Sequence, residues 1–474
     1  MNANVVGMAI IILGLALLVG KYIRVKVPFF ARLFLPSSII GGFVLLLLSE
    51  EGLGRIFRLF ERTETFEYGL FTEELVSVWV SLPGLLISFI FAGLFLGKTI
   101  PNIKTIWLTA GPQVAYGQSV AWGQYVVGIG LTMLILTPFF GANPLSGALI
   151  EIAFEGGHGT AAGLRQTFID LDFQEGADLA MGLATVGVVS GVVLGVILIN
   201  WGVRKGKTNY LKSPSNIDEI DLRGIVDVES RQASGMMTTN PSSIAPLAFH
   251  TGFILLSVFL GWVFQQGLIA LESATWGADG NNLVMVYLPL FPLAMIGGVF
   301  VQLALDKFDK DKLVDRETVN RLQGLALDFL IVSALATLSL SVLGENWVVF
   351  TTLALGGILW NVGMFVFLAR RMIPKNWFER GIGDFGQSMG MTAAGLMLIR
   401  IVDSQGDTKA LEAFGYKQLL FEPFVGGGLM TALSVPLMFQ FGPLTILIFT
   451  FIVMLVWILV GLLYFGRKSA DDIR

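Results

Sequence analysis

Glu151 and Glu155 lead into the stretch Gly156-Gly157-His158-Gly159-Thr160-Ala161-Ala162-Gly163-Leu164. Four residues apart, the two carboxylates share one helix face as long as the helix persists, and together they could hold a cation. The glycines that follow are too dense for one straight helix. Backbone left unwound there offers carbonyls to a cation such as Na⁺, and N–H groups with a positive helix end to an anion. Glycine permits the required dihedrals and lets a ligand approach the main chain. Thr160 can cap the following helix or lend its hydroxyl to a ligand. His158, one of two histidines in the chain, is either a hydrogen-bonded structural residue or part of a ligand site.

The closing letters, T-A-A-G-L, return at Thr392-Ala393-Ala394-Gly395-Leu396, again after a glycine cluster of Gly383, Gly386 and Gly390. Gln387 and Ser388 lie inside that second cluster. An isolated glycine cluster reads as a device for tight helix packing. Recurrence at a matched place favours a ligand site shared by two broken elements. Thr392 takes the part of Thr160. Arg165 and Arg400 follow the two threonines by five and eight residues. Either could grip a substrate carboxylate or serve as an interfacial anchor. Asp328 and Glu422 fall inside apolar runs and count as functional candidates on that ground.

The elements that must position these residues are membrane helices. The chain of 474 residues is 54% hydrophobic and 14% charged, with 37 Phe and 56 Gly, and its mean hydropathy is +0.74. That excludes an ordinary soluble protein and any nucleic-acid partner, and makes the lipid bilayer the solvent. The net charge of −4 and the absence of cysteine leave partner class and redox compartment open, and exclude thiol chemistry. The first apolar run has no basic residue before it and no small-residue cleavage site after it, so a retained span is expected.

Apolar runs of spanning length fall near 5–20, 35–48, 78–97, 119–137 and 176–200, then near 246–265, 283–304, 322–343, 347–369 and 419–440. A further run, 444–465, has no earlier counterpart. The expected fold is an all-α membrane protein of two inverted five-helix repeats, each with a re-entrant glycine-rich element, plus one extra C-terminal transmembrane helix. Residues 1–200 form the first repeat, with its re-entrant element at 141–168. A cytoplasmic linker follows at 201–243, then the second repeat at 244–440 with its element at 381–402. Residues 441–474 supply the extra helix and a cytoplasmic tail.

Basic residues orient this arrangement. With the amino terminus outside and each glycine element entering and leaving on one side, only Arg55, Arg58, Arg62 and Arg165 of the 31 Lys and Arg residues lie outside. Lys417 counts among the cytoplasmic ones. The Thr63 region is then outside, and the linker and carboxyl terminus inside. Five spans per half is an odd number, so the halves are inverted and their broken elements enter from opposite faces, as alternating access to one midplane site requires.

At these residues the chain resembles the sodium/glutamate symporter family of bacteria, the GltS-like proteins. Glu155-Gly156-Gly157-His158-Gly159-Thr160-Ala161-Ala162 stands where the family has S-G-G-H-G-T-G-A. Gly386-Gln387-Ser388-Met389-Gly390-Met391-Thr392-Ala393-Ala394 stands where it has G-F-G-L-G-A-T-P-T. Ala180-Met181, Ala184-Thr185 and Gly187 are similar to its A-M-x-x-A-T-x-G, and Leu17-Leu18, Gly20, Pro36 and Gly41-Gly42 also match. The resemblance covers most of 1–440. It implies a Na⁺-coupled symporter of glutamate or a related carboxylate in the bacterial cytoplasmic (inner) membrane, a homodimer whose re-entrant domain moves like an elevator. Its first and second motifs place substrate at Gly156, Gly157, His158, Gly159, Thr160, Gly386, Gln387, Ser388, Gly390 and Thr392. Glu155, which replaces a serine, is the marked departure; beside an anion site its charge must be protonated or cation-bound. With Glu151, Thr160 and Thr392 it makes the expected Na⁺ ligand set.

Rival readings carry less. Gly381-Ile382-Gly383-Asp384-Phe385-Gly386 satisfies G-x-G-x-x-G, but follows a basic loop and lacks a βαβ unit. The same letters resemble the G-x-G-D motif of intramembrane aspartyl proteases, yet 347–369 has no second aspartate. A channel needs no paired, opposed elements. A citrate-type di- or tricarboxylate symporter with similar repeats is the nearest alternative, and an enzyme is not expected.

Overall fold

Segments this apolar must satisfy every backbone group internally once in lipid, which leaves helices as the form available to them. A computed structural model describes residues 2–33, 35–59, 68–98, 103–208, 225–226, 228–231, 233–278, 280, 283–390, 392–403 and 408–466. Among the described residues there is no strand, and nine helices are long and apolar enough to cross a membrane. The Thr63 region, linker residues 209–224 and the tail 467–474 lie outside the described residues.

The principal helices are α1 (Ala3–Lys26), α2 (Ser37–Leu48), α3 (Glu73–Ala92), α4 (Ile103–Leu131), α5 (Leu149–Phe154), α6 (Gly157–Gly163), α7 (Glu175–Arg204) and α8 (Pro246–Ala274). They continue with α9 (Leu290–Phe308), α10 (Arg316–Ala336), α11 (Trp347–Gly363), α12 (Trp377–Gln387), α13 (Thr392–Val402), α14 (Ala410–Phe421), α15 (Leu429–Phe441) and α16 (Pro443–Leu459). Local sequence sets several starts. Thr72 accepts from the Leu75 N–H ahead of α3, whose first turn holds Glu73 and Glu74. Asp315 accepts from the Thr318 N–H at 2.8 Å ahead of α10, and from the Met236 N–H, which ties down the end of the linker.

Two expected spans differ. The run 35–48 yields only the 12-residue α2, followed by a π-turn at Glu50–Gly54. The run 419–440 is not one helix: Pro423 and the triple glycine Gly426–Gly428 break it, leaving α14 and the 13-residue α15 on either side. The run 444–465 is continuous from Pro443 to Phe465 and is long and apolar enough to cross a membrane.

The chain divides into two compact units. Unit 1 comprises 1–100, 162–170 and 219–341; unit 2 comprises 101–161, 171–218 and 342–474. Within unit 1, α1 packs on α2 as α8 packs on α9; α2 packs on α10 as α9 packs on α3; and α3 meets α10. Small residues permit the approach: a Cβ on Gly41 would lie 2.5 Å from the Ala16 carbonyl oxygen. Within unit 2, α4 meets α11, α4 packs on α14 and α11 on α7, and α5 packs on α7 as α12 does on α14. The added α16 covers α4 through Trp107, whose ring lies 5.4 Å from Phe465 and 6.5 Å from Trp457.

Candidate functional site

Both glycine elements are helix–break–helix structures, and all their breaks belong to unit 2. In the first, Asn143 accepts from the Leu145 N–H and Pro144 opens a 3₁₀ turn that runs into α5. The Glu151 carbonyl then accepts from the N–H groups of both Glu155 and Gly156, Gly157 takes a φ of +68°, and α6 begins. In the second, α12 ends as the Ser388 N–H bonds the Asp384 carbonyl. Gly390, at a φ of +142°, turns the chain into α13. Only glycine reaches that last conformation without large strain. The segment 144–154 and α12 each hold 11 residues, half of what a membrane crossing needs.

The breaks meet. A Cβ on Gly157 would overlap the Gly390 carbonyl oxygen, and one on Gly187 of α7 would lie 2.5 Å from the Met389 carbonyl oxygen. The third break, 422–428, joins them through Glu151. Its Oε1 accepts from the Gly426 N–H at 3.0 Å and the Thr431 hydroxyl at 2.8 Å, and its Oε2 from the Tyr125 hydroxyl at 2.5 Å. Glu151 is thus fully buried and engaged on both oxygens, tying α4, α5 and α15 together.

Glu155, one turn on and also buried, is the opposite case. Among the described residues neither of its oxygens has a hydrogen-bond partner. The Ser388 hydroxyl is near enough to act on it electrostatically, as is the Lys417 charge, but without hydrogen-bond geometry. The Thr160 Oγ1, Ser388 Oγ and Gln124 Oε1 are likewise buried without partners among those residues. Thr160 lies against the first break, where a Cβ on Gly156 would come within 2.7 Å of its own Cβ. Gln124 reaches the second, its Nε2 donating to the Ser388 carbonyl at 2.9 Å and to Asn361 Oδ1 at 3.1 Å. Unpaired buried polar atoms are costly, so a group of them at the meeting of two breaks is a candidate ligand site.

The remaining candidates fall as follows. His158 is buried, 3.0 Å from the Thr185 hydroxyl. That hydroxyl donates to the Met181 carbonyl, so His158 Nε2 carries the proton between them. Gly386 lets the legs of the second element touch, a Cβ there lying 2.8 Å from Gly395 Cα. Thr392 opens α13. Arg400 is exposed in the last turn of that helix, and Arg165 belongs to unit 1, as does Asp328. Glu422 begins the third break.

Lys417, expected among the cytoplasmic flanking charges, is instead fully buried in α14, with its Nζ 3.2 Å from Asp384 Oδ1 and donating to Gln387 Oε1 at 2.9 Å. Its position just ahead of an apolar run made it look like a flanking charge. Phe414 and Phe421, three before and four after it on the same helix face, were the sign that it is enclosed. Tyr125, Thr431 and Gln124 escaped notice, since single polar residues in long apolar helices carry no spacing signal; Asp384 was visible within the G-x-G-D letters, but its lysine partner was not.

A family model described as sodium/glutamate symporter matches residues 4–402. No individual curated protein matches the chain with significance.

Proposed function

The chain belongs to the sodium/glutamate symporter family, and on that premise we propose that it imports glutamate, or a closely related amino-acid anion, by symport with Na⁺. The observation that carries this reading is the set of partnerless buried oxygens where the two breaks meet. Carboxylate, hydroxyl and amide oxygens suit a hard cation such as Na⁺. Glu155, Thr160, Ser388 and Gln124 would hold it, and the ion would neutralise a buried carboxylate that has no hydrogen-bond donor among the described residues.

The substrate carboxylate is assigned to the first turn of α13, whose leading N–H groups have no helical acceptor, with Thr392 beside it. Gly156, Gly157, Gly159, Gly386 and Gly390 let the ligand reach main chain. Glu151 holds the third break in place and His158 is set by Thr185. Arg400, in the exposed last turn of α13 and about 12 Å along the helix from its first turn, and Arg165, in unit 1, are left out of this site and read as interfacial anchors.

Every group assigned to Na⁺ belongs to unit 2, which supports an elevator in which unit 2 carries the ligands across and unit 1 stays anchored in a homodimer. The matched helix pairings in each unit support inverted repeats with re-entrant elements. The basic-residue bias supports an outside amino terminus and an inside carboxyl terminus in a bacterial cytoplasmic membrane.

Purified protein in liposomes should take up labelled glutamate saturably under an inward Na⁺ gradient, and excess citrate should compete poorly. Uptake driven equally well by a proton gradient without Na⁺ refutes the coupling. Preferred citrate uptake refutes the substrate assignment.

A further inference from the structure

A lysine with no exposed surface inside a membrane-embedded bundle is costly unless its charge is matched locally. Lys417 is matched three ways. Asp384 Oδ1 lies 3.2 Å from its Nζ, Gln387 Oε1 accepts from it at 2.9 Å, and the Phe421 ring centroid lies 3.9 Å away. A carboxylate oxygen, an amide oxygen and an aromatic face are also the groups that would hold a small free cation. The neighbouring helix is notched for the ammonium: a Cβ on Gly117 of α4 would lie 2.5 Å from Lys417 Cε and 2.8 Å from its Nζ. The receiving side is fixed as well. Gln387 and Gln418 exchange amide hydrogen bonds at 2.9 and 3.1 Å, and Gln113 Nε2 approaches Asp384 Oδ2 at 3.4 Å. Gln387 immediately precedes Ser388 at the second break, so this cation borders the oxygens assigned to Na⁺.

We propose that Asp384, Gln387 and Phe421 form a second cation site, permanently filled by the tethered ammonium of Lys417. The inference rests on the Na⁺-symport reading. A tethered cation travels with the protein in both directions, so it lowers by one the number of Na⁺ ions that the site would otherwise take. Removing the ammonium while keeping Asp384 leaves a buried carboxylate facing space the size of a lysine stem, and Na⁺ can enter it.

The test is thermal unfolding of the full-length protein in detergent, titrated with NaCl against choline chloride at constant ionic strength. Once its sites are near saturation, each Na⁺ bound only by the folded state raises the folded-to-unfolded ratio about tenfold per decade of Na⁺. Lys417→Ala should show one more factor of about ten per decade than the wild type. Lys417→Met/Asp384→Asn, which removes both charges of the pair, should fold and return to the wild-type slope. A Lys417→Ala slope equal to the wild type overturns the proposal, as does a Lys417→Ala protein equally unstable in Na⁺ and choline. A wild type with no Na⁺ response sinks the symport reading instead, so the two failures are distinguishable.

Discussion

Glu151 and Glu155 are the same residue type, one helical turn apart and both buried, yet removing their charges should have opposite consequences. Glu151→Ala strips the acceptor from three donors: the Tyr125 hydroxyl, the Thr431 hydroxyl and the Gly426 N–H. The hydroxyls can turn elsewhere, but the Gly426 N–H is fixed in the third break. Its orphaning costs about 1–3 kcal/mol, and loss of bonds to a charged acceptor about 1.5–3 kcal/mol more, giving a destabilisation of about 4 kcal/mol. Glu155→Gln breaks no hydrogen bond among the described residues and removes a buried charge that no hydrogen bond there stabilises. In choline buffer it should be at least as stable as the wild type. In Na⁺ at about a hundred times its dissociation constant, the wild type should gain about 2.7 kcal/mol and the Gln variant little of it. Thermal unfolding of the three detergent-solubilised proteins in the two salts reads all of this. A Glu155→Gln protein that keeps the full Na⁺ increment, or a Glu151→Ala protein as stable as the wild type, refutes the division of roles.

Gly157→Ala should abolish uptake while leaving expression near normal, since an alanine there pays about 1–2 kcal/mol for its left-handed backbone and overlaps the Gly390 carbonyl; wild-type uptake rates would refute the close meeting of the breaks. Asp315→Ala should cost about 1–2 kcal/mol as a lost helix cap and raise hydrogen exchange at Met236, whose N–H it accepts. Burial pushes the Asp315 carboxyl up, but its bonds from Thr318 and Met236 outweigh that and hold it below the usual carboxylate range. Its stabilisation is therefore complete above about pH 4 and is lost as pH falls through the lower folded value; a wild-type-minus-variant difference that shrinks between pH 7 and 5 would contradict this. A cysteine at the exposed Ser242 should resist an impermeant reagent applied outside intact cells, and labelling there would overturn the proposed orientation.

Much of the fold was legible because lipid imposes a simple rule: long apolar runs become helices, as at Ala3–Lys26 and Glu175–Arg204. The breaks at Gly157 and Gly390 were legible because a repeated glycine cluster has few other uses. The rule failed where hydropathy hides a backbone event, as at 422–428, where apolar Phe421, Phe424 and Val425 flank a proline and three glycines. It failed again at Lys417, since charge at the edge of an apolar run looks the same whether it faces water or an aspartate 33 residues away in sequence. Glu155 stood out in the sequence as a departure from the family motif; that Glu151, and not Glu155, has all its oxygens engaged is a property of three helices meeting.

The central claim is that Na⁺ and glutamate share the junction of the two breaks. Because the chain has no cysteine, Thr160→Cys and Ser388→Cys each place a single thiol there, one on each side. The direct measurement is the rate of thiol modification of both proteins in proteoliposomes, with Na⁺ alone, glutamate alone and the two together. Na⁺ should slow modification at both positions, and glutamate should slow it further only when Na⁺ is present. Protection of one position with complete indifference at the other, or protection by glutamate in choline equal to that in Na⁺, would contradict it.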